Sequence, residues 1–133
     1  MKKRTIVSLL SLSIVVFAAC KKNNDKSTAE RLQGKWILQK EVWNNHNNTD
    51  YKDSSSYTTR DNYMTFTSNN QVIYHDPYSA DDTVAFKMLN DQTLLIDQDT
   101  ITITKLTDTE LNWYFKETYS AGRWYEEWDT FTK

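Results

Sequence analysis

Tyr63-Met64-Thr65-Phe66-Thr67-Ser68-Asn69-Asn70-Gln71-Val72-Ile73-Tyr74 decides how the rest of the chain reads. Two runs of β-branched, aromatic and apolar residues flank Ser68-Asn69-Asn70, and asparagine tolerates the positive φ of a tight turn, so the stretch is a hairpin. Met64 and Phe66 alternate with threonines, which gives the first strand one apolar side.

The same grammar continues toward the C-terminus. Asp76-Pro77 breaks the second strand, and short strands follow over 83–89, 93–96 and 100–105, cut by Asn90-Asp91 and by Asp97-Gln98-Asp99. A last pair, 110–119 and 123–131, is joined across Ser120-Ala121-Gly122. Working back, Gly34-Lys35-Trp36-Ile37-Leu38-Gln39-Lys40-Glu41-Val42 is one more strand, with Trp36 and Leu38 on one face. Before it, Ser27 and Glu30 stand at capping-box spacing, which predicts a short helical turn that Gly34 ends. Between strands, residues 44–60 are polar and without periodicity and are expected to form a long loop, either solvated or disordered or serving as a lid over whatever the strands enclose.

The count is eight strands, and alternation assigns their faces. Met64/Phe66, Val84/Phe86/Met88, Leu94/Ile96, Ile101/Ile103, Leu111/Trp113/Phe115 and Trp124/Trp128 recur at spacings of two or four, so each strand has an apolar side. An antiparallel meander of this kind either stacks as a sandwich or closes into a barrel, and closure alone removes exposed edges. The expected class is therefore all-β, an antiparallel eight-stranded up-and-down barrel with one short N-terminal helical turn. A barrel of eight strands either fills itself with side chains or holds one small ligand.

The N-terminus carries an address. Lys2, Lys3 and Arg4 precede an apolar run from Ile6 to Ala19, the layout of a secretory signal, and its 14 residues fall short of the roughly 20 that span a bilayer. Cys20 is the only cysteine, so in an exported chain it cannot close an internal disulfide. Without residues 1–19, 13 Lys and Arg face 18 Asp and Glu, a net charge of −5. That excess of acid, with the basic residues scattered, argues against nucleic acid as a partner. The five Trp, eight Tyr and five Phe of the 133-residue chain make the expected core rich in aromatics.

Phe17-Ala18-Ala19-Cys20 resembles the lipobox of bacterial lipoproteins, in which the cysteine takes a diacylglyceryl group, palmitate being a typical chain, and becomes the first residue after cleavage. Gly34-x-Trp36 resembles the start of lipocalins, where the tryptophan closes the barrel floor. Leu32-Gln33-Gly34-Lys35-Trp36-Ile37-Leu38, Met64-Thr65-Phe66-Thr67 and Ile103-Thr104-Lys105-Leu106-Thr107-Asp108-Thr109-Glu110-Leu111, together with the lipobox, are similar to the small lipocalin-like lipoproteins of Bacteroidota. The resemblance implies a division into a signal peptide (1–19), a lipidated cysteine and flexible tether (20–31) and a lipocalin-like barrel (32–133). It places the protein in the cell envelope, anchored by acyl chains and most consistent with the outer membrane. Lipocalins also carry an arginine near the last strand that packs on the tryptophan, and Arg123 is the candidate for that role.

Little in the chain points to catalysis. His46 lies in an asparagine run and His75 ends a strand beside Asp76, neither placed beside a nucleophile and an orienting acid in sequence. Two histidines without a usable thiol give no zinc spacing, and Asp97/Asp99, Asp81/Asp82 and Asp50/Asp53 lack the series of oxygen ligands that calcium demands. Glu126 and Glu127 are adjacent in a strand, so they point to opposite faces and cannot flank one glycosidic bond. No enzyme activity, cofactor or metal is expected. Glu126, counted with Trp124 and Trp128, falls on the apolar side, where a carboxylate needs a partner or open solvent. The expected lining of a ligand pocket is thus Trp113, Trp124, Glu126 and Trp128, for a small, partly apolar ligand. The competing expectation is a packed, ligand-free barrel that meets another envelope protein. For the address, replacing Cys20 with alanine is expected to release the protein from membranes on fractionation, and unchanged membrane association would overturn the lipobox assignment.

Overall fold

The computed structural model describes residues 26–47, 49–120 and 122–133. Cys20 and the leader lie outside the described residues, and no helix among those described is long and apolar enough to cross a membrane.

The elements are α1 (Thr28–Leu32), β1 (Gly34–His46), β2 (Asp50–Ser56), β3 (Tyr63–Phe66), β4 (Gln71–His75), β5 (Asp82–Asn90), β6 (Thr93–Ile96), β7 (Asp99–Leu106), β8 (Glu110–Ser120) and β9 (Arg123–Thr132). From β3 to β9 each strand pairs antiparallel with the next, and β1 pairs with both β3 and β9, so the sheet closes on itself. β2 and β3 share one edge of β1: β3 runs along Gly34 to Ile37 and β2 along Lys40 to His46. Counted around the ring this is an eight-stranded antiparallel up-and-down barrel whose second position is divided between two strands.

The expected hairpin turn forms, with Asn70 at φ 58°, and the β6–β7 turn uses Asp97 at φ 53°. Stretch 44–60 differs from its expectation. Its first residues complete β1 and Asp50–Ser56 forms β2, laddered from Lys40 opposite Ser56 to His46 opposite Asp50. It is a hairpin instead of a loop or lid. The sequence Asp-Tyr-Lys-Asp-Ser-Ser-Ser hides the strand because it is polar on both faces; only Ser55 is half-buried, and the ladder to β1 holds it, with the Asp50–His46 pair at its end.

Bulges adjust the phase of four strand pairs. In β1 the register slips between Leu38 and Lys40, leaving Gln39 unpaired on the β9 side. Trp36 and Leu38 point inward before the slip, and Glu41, Trp43 and Asn45 do so after it. In β5 and β8 the skipped residues are Leu89 and Tyr119, both exposed large side chains.

One end of the barrel is packed solid. Leu32, Trp36, Phe66, Val72, Phe86, Leu94, Ile103 and Leu111 belong to a single buried cluster, with Phe66 and Phe86 edge to face at 5.0 Å. α1 seals this end. Ser27 caps it by the expected box, its backbone N–H donating to Glu30 Oε2 at 2.7 Å and its hydroxyl accepting from Glu30 N–H at 3.3 Å. The Thr28 hydroxyl donates to the Asp91 carbonyl at 3.0 Å, tying the helix to the β5–β6 turn. Leu32 is fully buried and its carbonyl accepts from the Trp36 indole at 2.6 Å. Gly34, at φ +108°, turns the chain from helix into β1, a conformation side chains rarely adopt.

Arg123 does not pack on Trp36. It opens β9 opposite Ser120, at the far end of the barrel. The cation over Trp36 is Lys133, whose Nζ stands 4.6 Å from the ring and donates to the Arg31 carbonyl at 3.0 Å. Only the C-terminal end of β9 reaches the sealed end, because β9 runs antiparallel to β1. Trp36→Ala is expected to cost about 3–5 kcal/mol in urea-melt stability, the range for emptying a buried aromatic site, and a loss under 1 kcal/mol would show that the seal is dispensable.

Candidate functional site

The opposite half of the barrel is not filled. It holds a cavity of about 440 Å3, open to solvent, between β1, β3, β4, β7, β8 and β9. Trp113 and Phe131 form its deep wall, edge to face at 4.8 Å, with Met64, Ile101, Leu38 and Phe115 around them. Tyr74, Tyr63 and His75 stand toward the mouth, where His75 stacks on Tyr63 at 4.4 Å and pairs with Asp81 at 2.6 Å.

The polar content of this cavity is acidic. Glu41 from β1 and Asp129 from β9 are paired across the ladder that closes the barrel, and Glu127 follows Asp129 at the strand spacing that keeps both on the inner face. One carboxylate oxygen of each lies within 4.8 Å of the others. Each acid has a donor from the protein: the Tyr57 hydroxyl donates to Glu41, the Tyr125 hydroxyl to Glu127, and the Trp113 indole to Asp129 Oδ2 at 2.6 Å. Asp129 is 5% exposed, and its Oδ1 finds no hydrogen-bond partner among the described residues.

Burial raises the Asp129 carboxyl to about 8, aided by the charge of neighbouring Glu127 and opposed by the Trp113 N–H. Burial and the bond to Glu41 likewise push the Tyr57 hydroxyl up to about 12, and Tyr125 is raised by burial first and by Glu127 second. At neutral pH the site therefore keeps a proton on Asp129. The arrangement can accept hydrogen bonds from a donor entering the cavity, or exchange that proton for another positive charge.

Of the four residues expected to line a pocket, the structure brings one there. Trp113 is 6% exposed and faces the cavity. Trp124, Glu126 and Trp128 are on the outer face of β9, which corrects their assignment to the interior. There His46 stacks on Trp124 at 5.3 Å, Tyr114 lies against Trp128 at 5.3 Å, and Lys116 sits over Trp124 at 5.0 Å. Glu126 accepts from Lys116 Nζ at 2.9 Å and from the Tyr114 hydroxyl at 2.8 Å, and the bond from Lys116 first of all holds its carboxyl below the usual range. The partner its position demanded is there, on the outside.

Trp124 and Trp128 suggested an apolar side, but the inner side of β9 is Tyr125, Glu127, Asp129 and Phe131, half of it charged. Phe131 carried the missing signal. It is buried opposite Leu111, and counting back by twos from it gives Asp129, Glu127 and Tyr125. Glu41 was hidden further, by the bulge at Gln39. Of the acids in the turns and at strand ends, Asp50 pairs with His46, Asp81 with His75, and Asp53 accepts from Tyr51 and from the Ser54 backbone, while Asp82 and Asp99 line the cavity.

Two solved structures are similar to the chain, each with a TM-score below 0.5. The chain is similar to a bovine odorant binding protein deswapped triple mutant (TM-score 0.48, 17% identity, 77% of this chain and 74% of that one). It is also similar to bovine odorant binding protein in complex with a selenium-containing odorant (TM-score 0.49, 15% identity, 86% and 77%). No family model matches the chain, and no curated protein does.

The raised carboxyl makes stability depend on pH. Folded Asp129 keeps its proton up to about pH 8, whereas an ordinary aspartate releases it near 3.8. The folded state therefore holds a proton that the unfolded chain has lost, and stability falls as pH rises from about 4 through about 8. Asp129→Asn removes that loss, and its amide can still accept from Trp113 and donate to Glu127. The variant is expected to melt about 5 °C or more above the parent at pH 9, with the gap closing toward pH 4. An equal gap at both pH values would show that Asp129 is not protonated in the folded chain.

Proposed function

We propose that the protein is a non-catalytic lipoprotein of the cell envelope whose lipocalin-like barrel binds one small, partly apolar ligand. The observation that carries the binding reading is the cavity. Its 440 Å3 lies within the range of about 300–1,000 Å3 for small-molecule sites, and it joins aromatic walls to a few convergent polar groups. A barrel built only for its surface has no need of an unfilled half, since filling it would add stability.

Anchoring rests on the leader and lipobox pattern. In this reading residues 1–19 are removed, Cys20 carries the acyl chains, and the polar stretch after it holds the barrel off the lipid. Two or more chains at about 0.8 kcal/mol per buried CH2 make such anchoring stable without help from the fold. Binding is favoured over catalysis because the hydrogen bonds of the described residues give neither histidine a hydroxyl nucleophile: His46 pairs with Asp50 and His75 with Asp81.

A second reading has its own observation. Trp128, 36% exposed, and Trp124 form an aromatic strip with Tyr114 and His46 outside the barrel, a surface suited to an accessory protein that meets another envelope protein. Native mass spectrometry of the protein purified without detergent from its own host separates the two. A retained adduct of a few hundred daltons is expected, weakened by Trp113→Ala and unaffected by Trp128→Ala. An apo mass, with an envelope protein held through Trp128, would replace the first reading by the second.

A further inference from the structure

The acidic trio specifies more than an apolar ligand, and the inference below rests on the binding reading just given. Glu41, Glu127 and Asp129 converge inside the cavity. Asp129 is nineteen-twentieths buried and has one oxygen without a partner among the described residues. The ion pairs found among those residues, His46–Asp50, His75–Asp81, Lys105–Glu110 and Lys116–Glu126, do not include the trio. Of the three only Asp129 is buried, Glu41 and Glu127 being half-buried, and no positive side chain among the described residues pairs with them.

Geometry and volume indicate the form in which a positive charge arrives. An ammonium nitrogen about 2.8 Å from each of three acceptors, along tetrahedral directions, sets those acceptors about 4.6 Å apart. The trio offers one oxygen from each acid, all within 4.8 Å of one another, so a single nitrogen can reach all three. A calcium ion takes six to eight oxygen ligands, and it would leave most of a 440 Å3 cavity empty. Beside the trio are Trp113, Phe115 and Phe131, apolar faces that hold a hydrocarbon body and that attract a cation through their π-electrons.

We propose that the cavity takes an organic primary ammonium compound, its N–H groups donated to Glu41, Glu127 and Asp129 and its apolar body laid against Trp113 and Phe115. The Tyr57, Tyr125 and Trp113 donors hold the three acids in place.

The test is titration calorimetry of the purified protein at low salt with 2-phenylethylamine, with 2-phenylethanol as the neutral molecule of the same shape, and with calcium chloride. The amine is expected to bind at one per chain and at least tenfold more tightly than the alcohol. Glu127→Gln and Glu41→Gln are each expected to weaken the amine at least tenfold while leaving the alcohol unchanged, with thermal melts showing that both variants fold. Asp129→Asn, expected to be stable at high pH, supplies a third arm that does not depend on either glutamate. Equal affinity for amine and alcohol, insensitive to all three variants, would overturn the ammonium inference and leave the apolar-cavity reading standing. Calcium binding that needs the trio and excludes the amine would overturn it in favour of a metal site. Absence of binding by either organic probe up to millimolar concentration would overturn both this inference and the cavity reading on which it rests.

Discussion

The pairing of β1 with β9 is the constraint on which everything else depends. Its register runs from Ile37 opposite Thr132 to His46 opposite Trp124 and converts an open meander into a ring. Without it both strands would present unpaired backbone edges, the feature that makes sheets associate with one another. The same ladder sets Glu41 against Asp129, so the act of closing the barrel also builds the acidic site. The bulge at Gln39 lets one strand serve both purposes. It keeps Trp36 inward at the sealed end and Glu41 inward at the open one, which an unbroken alternation does not allow.

The two halves of the barrel divide the energetic tasks. At the sealed end the helix, Trp36 and Lys133 close off a dry core of aliphatic and aromatic side chains, and burial of apolar area there is the main source of stability. At the open end Leu38, Tyr74 and Phe115 are only partly buried and pack against that core from above. A domain of this size can leave half its interior unfilled because the other half and the long β1–β9 and β8–β9 ladders hold the ring together.

Three acids facing a cavity oppose that stability, and the structure shows how they are accommodated. Each receives a hydrogen bond from an aromatic side chain, and Asp129 remains protonated, so the cluster avoids carrying its full charge. Asp129 Oδ1 is one of three buried oxygens without a partner among the described residues, with Asn44 Oδ1 and Asn112 Oδ1, and the one that belongs to a residue lining the cavity. The outer face solves a similar problem in the opposite way, with Glu126 neutralised by Lys116 and Tyr114 at the surface.

The chain's alternation determined the all-β class, the order of the meander and most inward positions, because burial on one side of a strand imposes a period of two that any reader of residues can see. The capping box and the Asn69-Asn70 turn were legible for the same reason: their chemistry acts over three or four residues. What only the tertiary structure decided depends on partners distant in the chain. β2 is a strand because β1 offers it a ladder, and its polar sequence shows no period. Lys133 instead of Arg123 covers Trp36 because antiparallel closure brings the end of β9 to the start of β1. The phase of β9, and with it the exchange of Trp124, Glu126 and Trp128 for Tyr125, Glu127 and Asp129 on the inner face, followed from register against Leu111 and Leu38. Local sequence specifies which residues alternate, but which side of the alternation faces inward is set by the strand across the way.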